Sequence, residues 1–117
     1  MKNLLMMLVM FLIVSITANA QEKKNKNAKH DIEINGNCDD CKKRIEKAAY
    51  SAPGVKSAVW DIETHNLHLI LNEQKGSVAE VKAKVAGIGH DSDDVFASDE
   101  VYENLHHCCK YDRKAQE

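Results

Sequence analysis

The chain has 117 residues, of which 44% are hydrophobic and 29% are charged, as in an ordinary globular protein. That length suits a single domain with one modest core. Aromatic residues make up only 5%, so the core is expected to be aliphatic. The formal net charge of -2 offers no basic surface of the kind that binds nucleic acid, and no nucleic-acid partner is expected.

Residues 1–20 differ from the rest of the chain and have the features of a secretory signal peptide. Lys2 precedes an almost unbroken apolar run from Leu4 to Ile16, and Ala18-Asn19-Ala20 has the small-residue pattern of a cleavage site. The apolar run is shorter than the roughly 20 residues of a membrane span. We therefore expect a periplasmic or secreted protein that is cleaved near Ala20. An uncleaved signal anchor is the alternative, and it would be the only membrane contact.

The next segments alternate between polar and apolar patterns. Residues 21–29 are rich in Lys and Asn and lack apolar periodicity, which predicts a flexible leader. Alternating isoleucines in residues 30–34 predict a first strand. Asp39 or Asp40 can cap a helix that runs to about Tyr50. Apolar residues recur at helical spacing along this segment, so one narrow stripe of the helix is expected to face the core.

A hairpin, a second helix and a short last strand are predicted after the turn at Pro53-Gly54. The run from Val55 to Ile62 and the alternating leucines of residues 67–71 predict the two strands of the hairpin. Apolar residues at helical spacing predict a second helix that opens near Gly76-Ser77: Val78, Val81, Val85 and Ile88. Residues 95–97 are a short candidate for a fourth strand, and one or two helical turns follow.

The predicted order β-α-β-β-α-β identifies the fold class as α+β, in the form of a ferredoxin-like sandwich. Its four-stranded antiparallel sheet would carry two helices on one face. Right-handed crossover connections leave few other arrangements. The predicted domain covers residues 30–98, and a tail that contains Cys and His covers residues 99–117.

Cys38 and Cys41 form a CxxC motif at the predicted junction of the first strand and the first helix. The free N–H groups and partial positive charge of a helix N-terminus favour the thiolate, which is the form that binds a metal ion. A two-residue spacer lets both sulfurs converge on one ion. Soft thiolate ligands select Cu(I), Zn(II) and heavier relatives.

Other uses of the CxxC motif stay open on the sequence. A haem attachment site needs His after the second cysteine, whereas Lys42 follows here. A structural zinc site needs four ligands, and Cys108 and Cys109 would have to supply the second pair. A redox dithiol is the main rival, although Pro53 lies in a turn rather than opposite the dithiol. Four cysteines in a small exported chain also fit a disulfide framework with three possible pairings.

The run from Gly36 to Ala48, followed by Pro53-Gly54-Val55 and the hairpin, resembles the heavy-metal-associated domain family. This family includes copper chaperones, N-terminal modules of metal-transporting P-type ATPases and periplasmic mercury-binding proteins. The resemblance covers about Asp31 to Ala97. It implies a ferredoxin-like fold and the binding of one soft ion by the matching Cys38 and Cys41.

Two features depart from the family pattern, which usually reads Gly-Met-x-Cys-x-x-Cys. Gly36-Asn37-Cys38 is one residue shorter and lacks the methionine. The Asp39-Asp40 spacer opposes thiolate formation by like-charge repulsion and offers oxygen ligands, which shifts the expected ion from Cu(I) toward Zn(II). The resemblance also implies that His90 is a third ligand or a gate. A solvent-exposed loop histidine is the alternative.

The tail contains a dense run of metal-ligand types: His106, His107, Cys108 and Cys109. If this run is helical, His106 and Cys109 share a face. The tail could fold over the Cys38/Cys41 loop and complete a four-ligand site, or it could hold a second ion. A disulfide within the tail or to the CxxC pair is the alternative, although adjacent cysteines bridge each other only with strain.

The sequence therefore predicts a metal-binding protein rather than an enzyme, because no catalytic constellation is visible. We expect it to capture a soft ion, Cu(I) first and Zn(II) or Hg(II) as alternatives, and to transfer or sequester it. A metal-transporting ATPase or an efflux system is the expected partner, and transfer would proceed by ligand exchange. A thiol–disulfide redox protein and a disulfide-stapled structural protein are the alternative functions.

Overall fold

The computed structural model describes residues 24–113, which form an α+β fold. Within these residues, no helix has both the length and the apolar character needed to cross a membrane. A 3-10 helix over His107–Cys109 ends the series of elements. The elements before it are β1 (Ala28–Glu33), α1 (Asp39–Tyr50), β2 (Val55–Trp60), β3 (Asn66–Leu71), α2 (Val78–Gly87) and α3 (Asp99–Glu103).

The predicted signal peptide at residues 1–20 lies outside the described residues, as do residues 21–23 and 114–117. β1 begins at Ala28, before the predicted start of the domain at residue 30. Ala28 is buried opposite Leu71 of β3. The first strand therefore extends into the segment that the sequence predicted as a flexible leader.

The three strands form one antiparallel sheet in the order β1-β3-β2. The central strand β3 pairs with both neighbours, so that Leu67 lies opposite Ile32 on one side and opposite Trp60 on the other. Because alternate residues of a strand point to the same face, the leucines of β3 and these apolar partners line one face of the sheet. That face forms one wall of the core.

The core lies between this face of the sheet and helices α1 and α2. Both helices contribute fully buried side chains, Ile45 from α1 and Val81 and Val85 from α2, to the same cluster as the strands. Trp60 is the largest fully buried side chain, and its indole Nε1–H donates a hydrogen bond to Ile34 O at 3.0 Å. Since the indole has its partner, burial of the ring leaves no donor unsatisfied. The two helices therefore pack on one face of the sheet, as predicted.

The predicted fourth strand at residues 95–97 is not confirmed. The described residues contain three strands, and beyond them only an isolated bridge joins Ile34 to Ser92. Nearby side chains accept hydrogen bonds from the backbone N–H groups that would otherwise pair with a neighbouring strand. Ser92 Oγ accepts from Val95 N–H at 3.1 Å, and Asp91 Oδ1 accepts from Ala97 N–H at 2.7 Å. A backbone N–H that donates to a nearby side chain cannot also donate to a neighbouring strand. This segment therefore forms an irregular loop.

The chain leaves this loop through α3 and then crosses back over the domain. Leu105 is buried and packs against Gly89, which follows α2. The φ angle of Gly89 is +106°, and a Cβ atom there would lie 2.8 Å from Leu105 Cδ2. Glycine therefore permits both the backbone conformation and the close approach of the tail.

Candidate metal centre

The first cysteine pair lies where α1 begins. Cys38 is the N-cap residue, with an extended backbone (φ -144°, ψ 175°), and Cys41 lies in the first helical turn. The sequence placed the cap at Asp39 or Asp40, and both are instead the first residues of the helix. Asn37 N–H donates to Cys41 Sγ at 3.4 Å, and the two cysteine sulfurs are 3.2 Å apart. Cys41 is fully buried, whereas Cys38 is half-buried.

The second cysteine pair reaches the first from the tail. Cys108 and Cys109 lie in the 3-10 helix, and their sulfurs are 3.4 Å and 3.6 Å from Cys38 Sγ. The sulfurs of Cys38, Cys108 and Cys109 all lie within 4.8 Å of one another. All four cysteines are free thiols. The structure thus brings together two predicted ligand pairs whose members Cys38 and Cys108 are 70 residues apart in the sequence.

The spacing of the sulfurs suits a single metal ion. In a tetrahedral site with metal–sulfur bonds of about 2.3 Å, neighbouring sulfurs are about 3.8 Å apart. The distances from Cys38 Sγ to the other three sulfurs are 3.2, 3.4 and 3.6 Å, and the sulfurs of Cys108 and Cys109 are 3.9 Å apart. Cys41 Sγ lies near Cys38 Sγ but not within 4.8 Å of both tail sulfurs, so the side chains would have to move for all four sulfurs to surround one ion. Four sulfur donors form a ligand set that selects soft and borderline ions.

The thiols of the cluster differ in how readily they ionise. Burial opposes ionisation of Cys38, but hydrogen bonds with the backbone of Cys41 and with the neighbouring thiols outweigh it and lower the pKa of Cys38 to about 7. The hydrogen bond shared with Cys38 raises the pKa of Cys108, and burial raises the pKa of Cys109. Near neutral pH, the Cys38 thiol of the metal-free cluster is therefore partly ionised, while the raised pKa values of Cys108 and Cys109 keep these thiols protonated.

Cys38 is expected to react faster with iodoacetamide than either tail cysteine in the reduced, metal-free protein. Because the thiolate is the nucleophile and the pKa of Cys38 is about 7, the rate should rise through neutral pH and level off above it. Cys109 stays protonated over this range because its pKa is raised. Peptide mass spectrometry after short pulses between about pH 5 and pH 9 measures the order of modification. Modification of Cys109 before Cys38 would contradict this assignment.

The aspartate spacer borders the cluster on its exposed side. Both spacer residues are exposed, and Asp40 Oδ2 lies 3.8 Å from Cys108 Sγ. This carboxylate contributes to the raised pKa of Cys108, in the direction that the sequence predicted for carboxylates beside thiolates. Lys42, which follows the motif, is engaged elsewhere, because its Nζ donates to Glu46 Oε2 at 2.7 Å and to Trp60 O at 2.8 Å.

His90 is neither a solvent-exposed loop residue nor a member of the sulfur cluster. Its side chain is fully buried, and it lies outside the ligand atoms that group within 4.8 Å of one another. Its Nδ1 donates to Asn35 O at 2.8 Å, and burial lowers its pKa, so the ring is neutral. Its Nε2 is buried and has no hydrogen-bond partner among the described residues. His90 therefore packs behind the metal loop in this arrangement.

The tail histidines are arranged differently from the predicted helical face. The 3-10 helix starts at His107, so His106 precedes it and does not share a helical face with Cys109. His106 Nδ1 instead lies 3.3 Å from Cys108 Sγ. The exposed rings of His106 and His107 lie against each other with centroids 4.4 Å apart. His106 is thus the histidine that the structure brings to the sulfur cluster.

Three residues that fix the tail were absent from the predicted site: Asp91, Tyr111 and Arg113. Asp91 and Tyr111 are buried, and Arg113 pairs with Asp91 across 22 residues of sequence. The Cys and His residues of the tail indicated a metal site because their side chains are common metal ligands. A tyrosine and an arginine just after a cysteine pair gave no comparable signal, since their role depends on a partner in another loop.

A family model and two solved structures are similar to this chain. The heavy-metal-associated domain model matches residues 33–91, half of the chain. The CopZ metallochaperone has a TM-score of 0.54 and 24% identity, over 56% of this chain and 98% of that chain, which shows a shared fold. Oxidised MerP from Ralstonia metallidurans CH34 has a TM-score of 0.49 and 22% identity, over 56% of this chain and 94% of that chain. Comparison with curated protein sequences gives no significant match.

The family match covers the parts of the fold that build the first half of the site. Residues 33–91 include the CxxC motif, helices α1 and α2 and the β2-β3 hairpin, whereas Cys108 and Cys109 lie beyond the matched segment. The order of these elements and the fold shared with a solved relative agree with the resemblance seen in the sequence. The chain therefore belongs to the heavy-metal-associated domain family.

Proposed function

We propose that this protein captures one thiophilic metal ion with Cys38 and Cys41 and encloses it with Cys108 and Cys109. The convergence of the two pairs carries the proposal, since three sulfurs lie within 3.6 Å of Cys38 Sγ. Membership of the heavy-metal-associated family places the protein among metal-binding carriers rather than enzymes, as the sequence predicted. The tail pair lies outside residues 33–91, so the four-sulfur arrangement adds to the two-cysteine site that the family resemblance implied.

Capture and release proceed by exchange of thiolate ligands. The lowered pKa of Cys38 and its half-exposed position support a first contact between an incoming ion and this sulfur. Binding by the remaining thiols releases their protons, because the thiolate is the form that coordinates. In transfer, a thiolate of the partner joins the ion and one protein sulfur leaves. We propose a metal-transporting ATPase or an efflux system as the partner.

Two classes of ion fit different parts of the site. Cu(I), the ion first expected from the sequence, suits the Cys38/Cys41 pair, because soft thiolates select it. The four-sulfur arrangement favours Zn(II), since tetrahedral sulfur ligation is typical of this ion and the sulfur spacings of 3.6 and 3.9 Å lie close to a tetrahedral edge. Hg(II), which two thiolates can bind in linear coordination, fits the Cys38/Cys41 pair as Cu(I) does. The tail pair should therefore decide between the two classes.

We also propose that the protein works outside the cytoplasm, on the basis of the signal-peptide features of residues 1–20. Such compartments favour the oxidation of thiols. Four free thiols this close together would need a reductant or prompt metal loading to stay available there. Metal loading therefore protects the site as well as filling it.

Native mass spectrometry of the purified protein tests this function. The reduced protein is offered Cu(I), Zn(II) and Hg(II), each alone and then in competition, and the double variant Cys108→Ser/Cys109→Ser is measured beside it. We expect one ion per wild-type chain. The double variant should keep Cu(I) and lose Zn(II), because only the four-coordinate ion needs the tail sulfurs.

The same spectra contain their own controls. Wild-type protein without any bound ion would refute the metal-binding function. Equal Zn(II) binding by the wild type and the double variant would remove the tail pair from the site. The intact mass of protein isolated from the exported fraction also shows whether residues 1–20 have been removed. A mass that retains them would support an uncleaved signal anchor.

A further inference from the structure

We propose that Asp91, Tyr111 and Arg113 form a tail anchor that docks the C-terminal tail and thereby positions Cys108 and Cys109 at the metal loop. The inference rests on the proposed four-sulfur site, but the anchor residues themselves contribute no metal ligand. They act through the cysteines that they hold in place, so they are positioning residues. The inference predicts that metal affinity and coordination number depend on contacts made away from the sulfurs.

The ion pair of the tail anchor is bidentate, and its carboxylate is buried. Arg113 Nε donates to Asp91 Oδ2 at 2.9 Å, and Arg113 Nη2 donates to Asp91 Oδ1 at 3.0 Å. Asp91 is 1% exposed, so its carboxylate depends on these donors and on Ala97 N–H. Arg113 also donates to Ala97 O and to Asp99 Oδ1, and its guanidinium lies over the Tyr102 ring at 4.8 Å. Every donor group of Arg113 therefore ties the tail to the rest of the domain or to α3.

Tyr111 fixes the tail at a second point, close to Cys109. Its hydroxyl accepts from Asp91 N–H at 2.9 Å and donates to Gly89 O at 2.8 Å. The side chain is 4% exposed, so both hydrogen bonds are shielded from water. Tyr111 N–H also donates to Cys109 O at 3.0 Å. Because Tyr111 is bonded to the backbone of Cys109, two residues earlier, fixing the Tyr111 ring also fixes the position of Cys109.

The loop that receives the anchor is itself bonded to the metal loop. Asn35 N–H donates to Asp91 O at 2.9 Å, and His90 Nδ1–H donates to Asn35 O at 2.8 Å. The ring of His90 stacks on the ring of Tyr111 with centroids 5.7 Å apart. Residues 89–91 therefore contact the strand end that leads into Cys38 on one side and the tail on the other. The two cysteine pairs are placed relative to each other through this shared loop.

The tail is also held upstream of the cysteines. Leu105 is buried against Gly89, so the segment with Cys108 and Cys109 is tethered before and after the sulfurs. Tethering at both ends keeps the tail thiols at a high effective concentration near Cys38. An undocked tail would lose conformational entropy when the ion binds, because it would become ordered only then. The affinity for the metal ion would therefore be lower.

The test compares Arg113→Gln and Tyr111→Phe with the wild type, with Lys110→Gln as the matched control. Lys110 lies in the same tail, but among residues 24–113 its Nζ pairs only with Glu103, at 3.2 Å in a surface contact. Cd(II) is the probe, because its sulfur-to-metal charge-transfer absorbance grows with the number of bound thiolates. We expect Cd(II) affinity to fall by about 10- to 100-fold in both anchor variants, as is typical for loss of a group that orients a ligand.

The absorbance distinguishes positioning from general destabilisation. In both anchor variants the absorbance per bound Cd(II) should fall toward the value of Cys108→Ser/Cys109→Ser, whereas Lys110→Gln should match the wild type. Full absorbance and wild-type affinity in Tyr111→Phe would overturn the anchor and leave the four-sulfur site intact. A wild type that binds no Cd(II) would instead refute the metal site itself. If Arg113→Gln does not fold, Tyr111→Phe, which loses one oxygen atom and keeps the ring, decides alone.

Discussion

Cys38→Ser is expected to weaken metal binding more than the loss of either tail cysteine. Cys38 Sγ lies within 3.6 Å of all three other sulfurs, so an ion held by any of them lies beside it. Its pKa of about 7 also leaves a large fraction of it as thiolate near neutral pH. We expect the affinity for the metal ion to fall by more than about 100-fold, because the loss of a group that only orients a ligand already lowers affinity by up to about 100-fold. Competition with a chromogenic chelator in the reduced protein measures the change.

Cys108→Ser is the matched control for this variant. Cys108 is half-buried at the exposed edge of the cluster, beside Asp40 and His106, so an ion can be held by the other three sulfurs after its loss. Its effect on affinity should therefore be smaller than that of Cys38→Ser. If Cys38→Ser bound the metal ion as tightly as the wild type, the site would have to lie in the tail, and the proposed function would be contradicted.

Trp60→Ala is expected to have the largest effect on folding stability. The indole is fully buried in the core, and its Nε1–H is bonded to Ile34 O. A Cβ atom at Gly36 would lie 3.1 Å from the indole, so the ring also supports the loop that carries Cys38. Removal of a buried tryptophan costs about 3 to 5 kcal/mol. That is a large fraction of the roughly 5 to 15 kcal/mol that stabilises a domain. Urea unfolding of the reduced, metal-free protein measures the free energy of unfolding.

Val59→Ala provides the comparison on the same strand. Val59 is 49% exposed on the opposite face of the sheet, and its truncation should change the free energy of unfolding by at most about 0.5 kcal/mol. Similar losses for Trp60→Ala and Val59→Ala would show that the core does not lie between this face of the sheet and the two helices.

The hairpin and the two main helices could be predicted because each depends on a local pattern. The leucines of β3 alternate, and all three are at most 1% exposed in the sheet. Ser77 caps α2, and its hydroxyl accepts from Glu80 N–H at 3.2 Å, so the start of this helix was visible in a few neighbouring residues. The predicted second strand ran to Ile62, but β2 ends at Trp60 and the Ile62 side chain is 37% exposed.

The features that could not be predicted depend on contacts between distant segments. Residues 95–97 have apolar character suited to a strand, but the N–H groups of Val95 and Ala97 donate to the side chains of Ser92 and Asp91. The ligand types of the tail indicated metal binding, while the choice among a docked tail, a second ion and a disulfide depends on where the tail is anchored. That anchor joins Arg113 to an aspartate in another loop, a pairing with no sequence periodicity to reveal it.

The unequal burial of the four sulfurs would give the proposed exchange of an ion a direction. Cys41 and Cys109 are 0% exposed, so neither can be approached by another protein while the fold is intact. Attack by a foreign thiolate must begin at the rim formed by Cys38 and Cys108. The buried sulfurs of Cys41 and Cys109 would then be the last to dissociate from the ion.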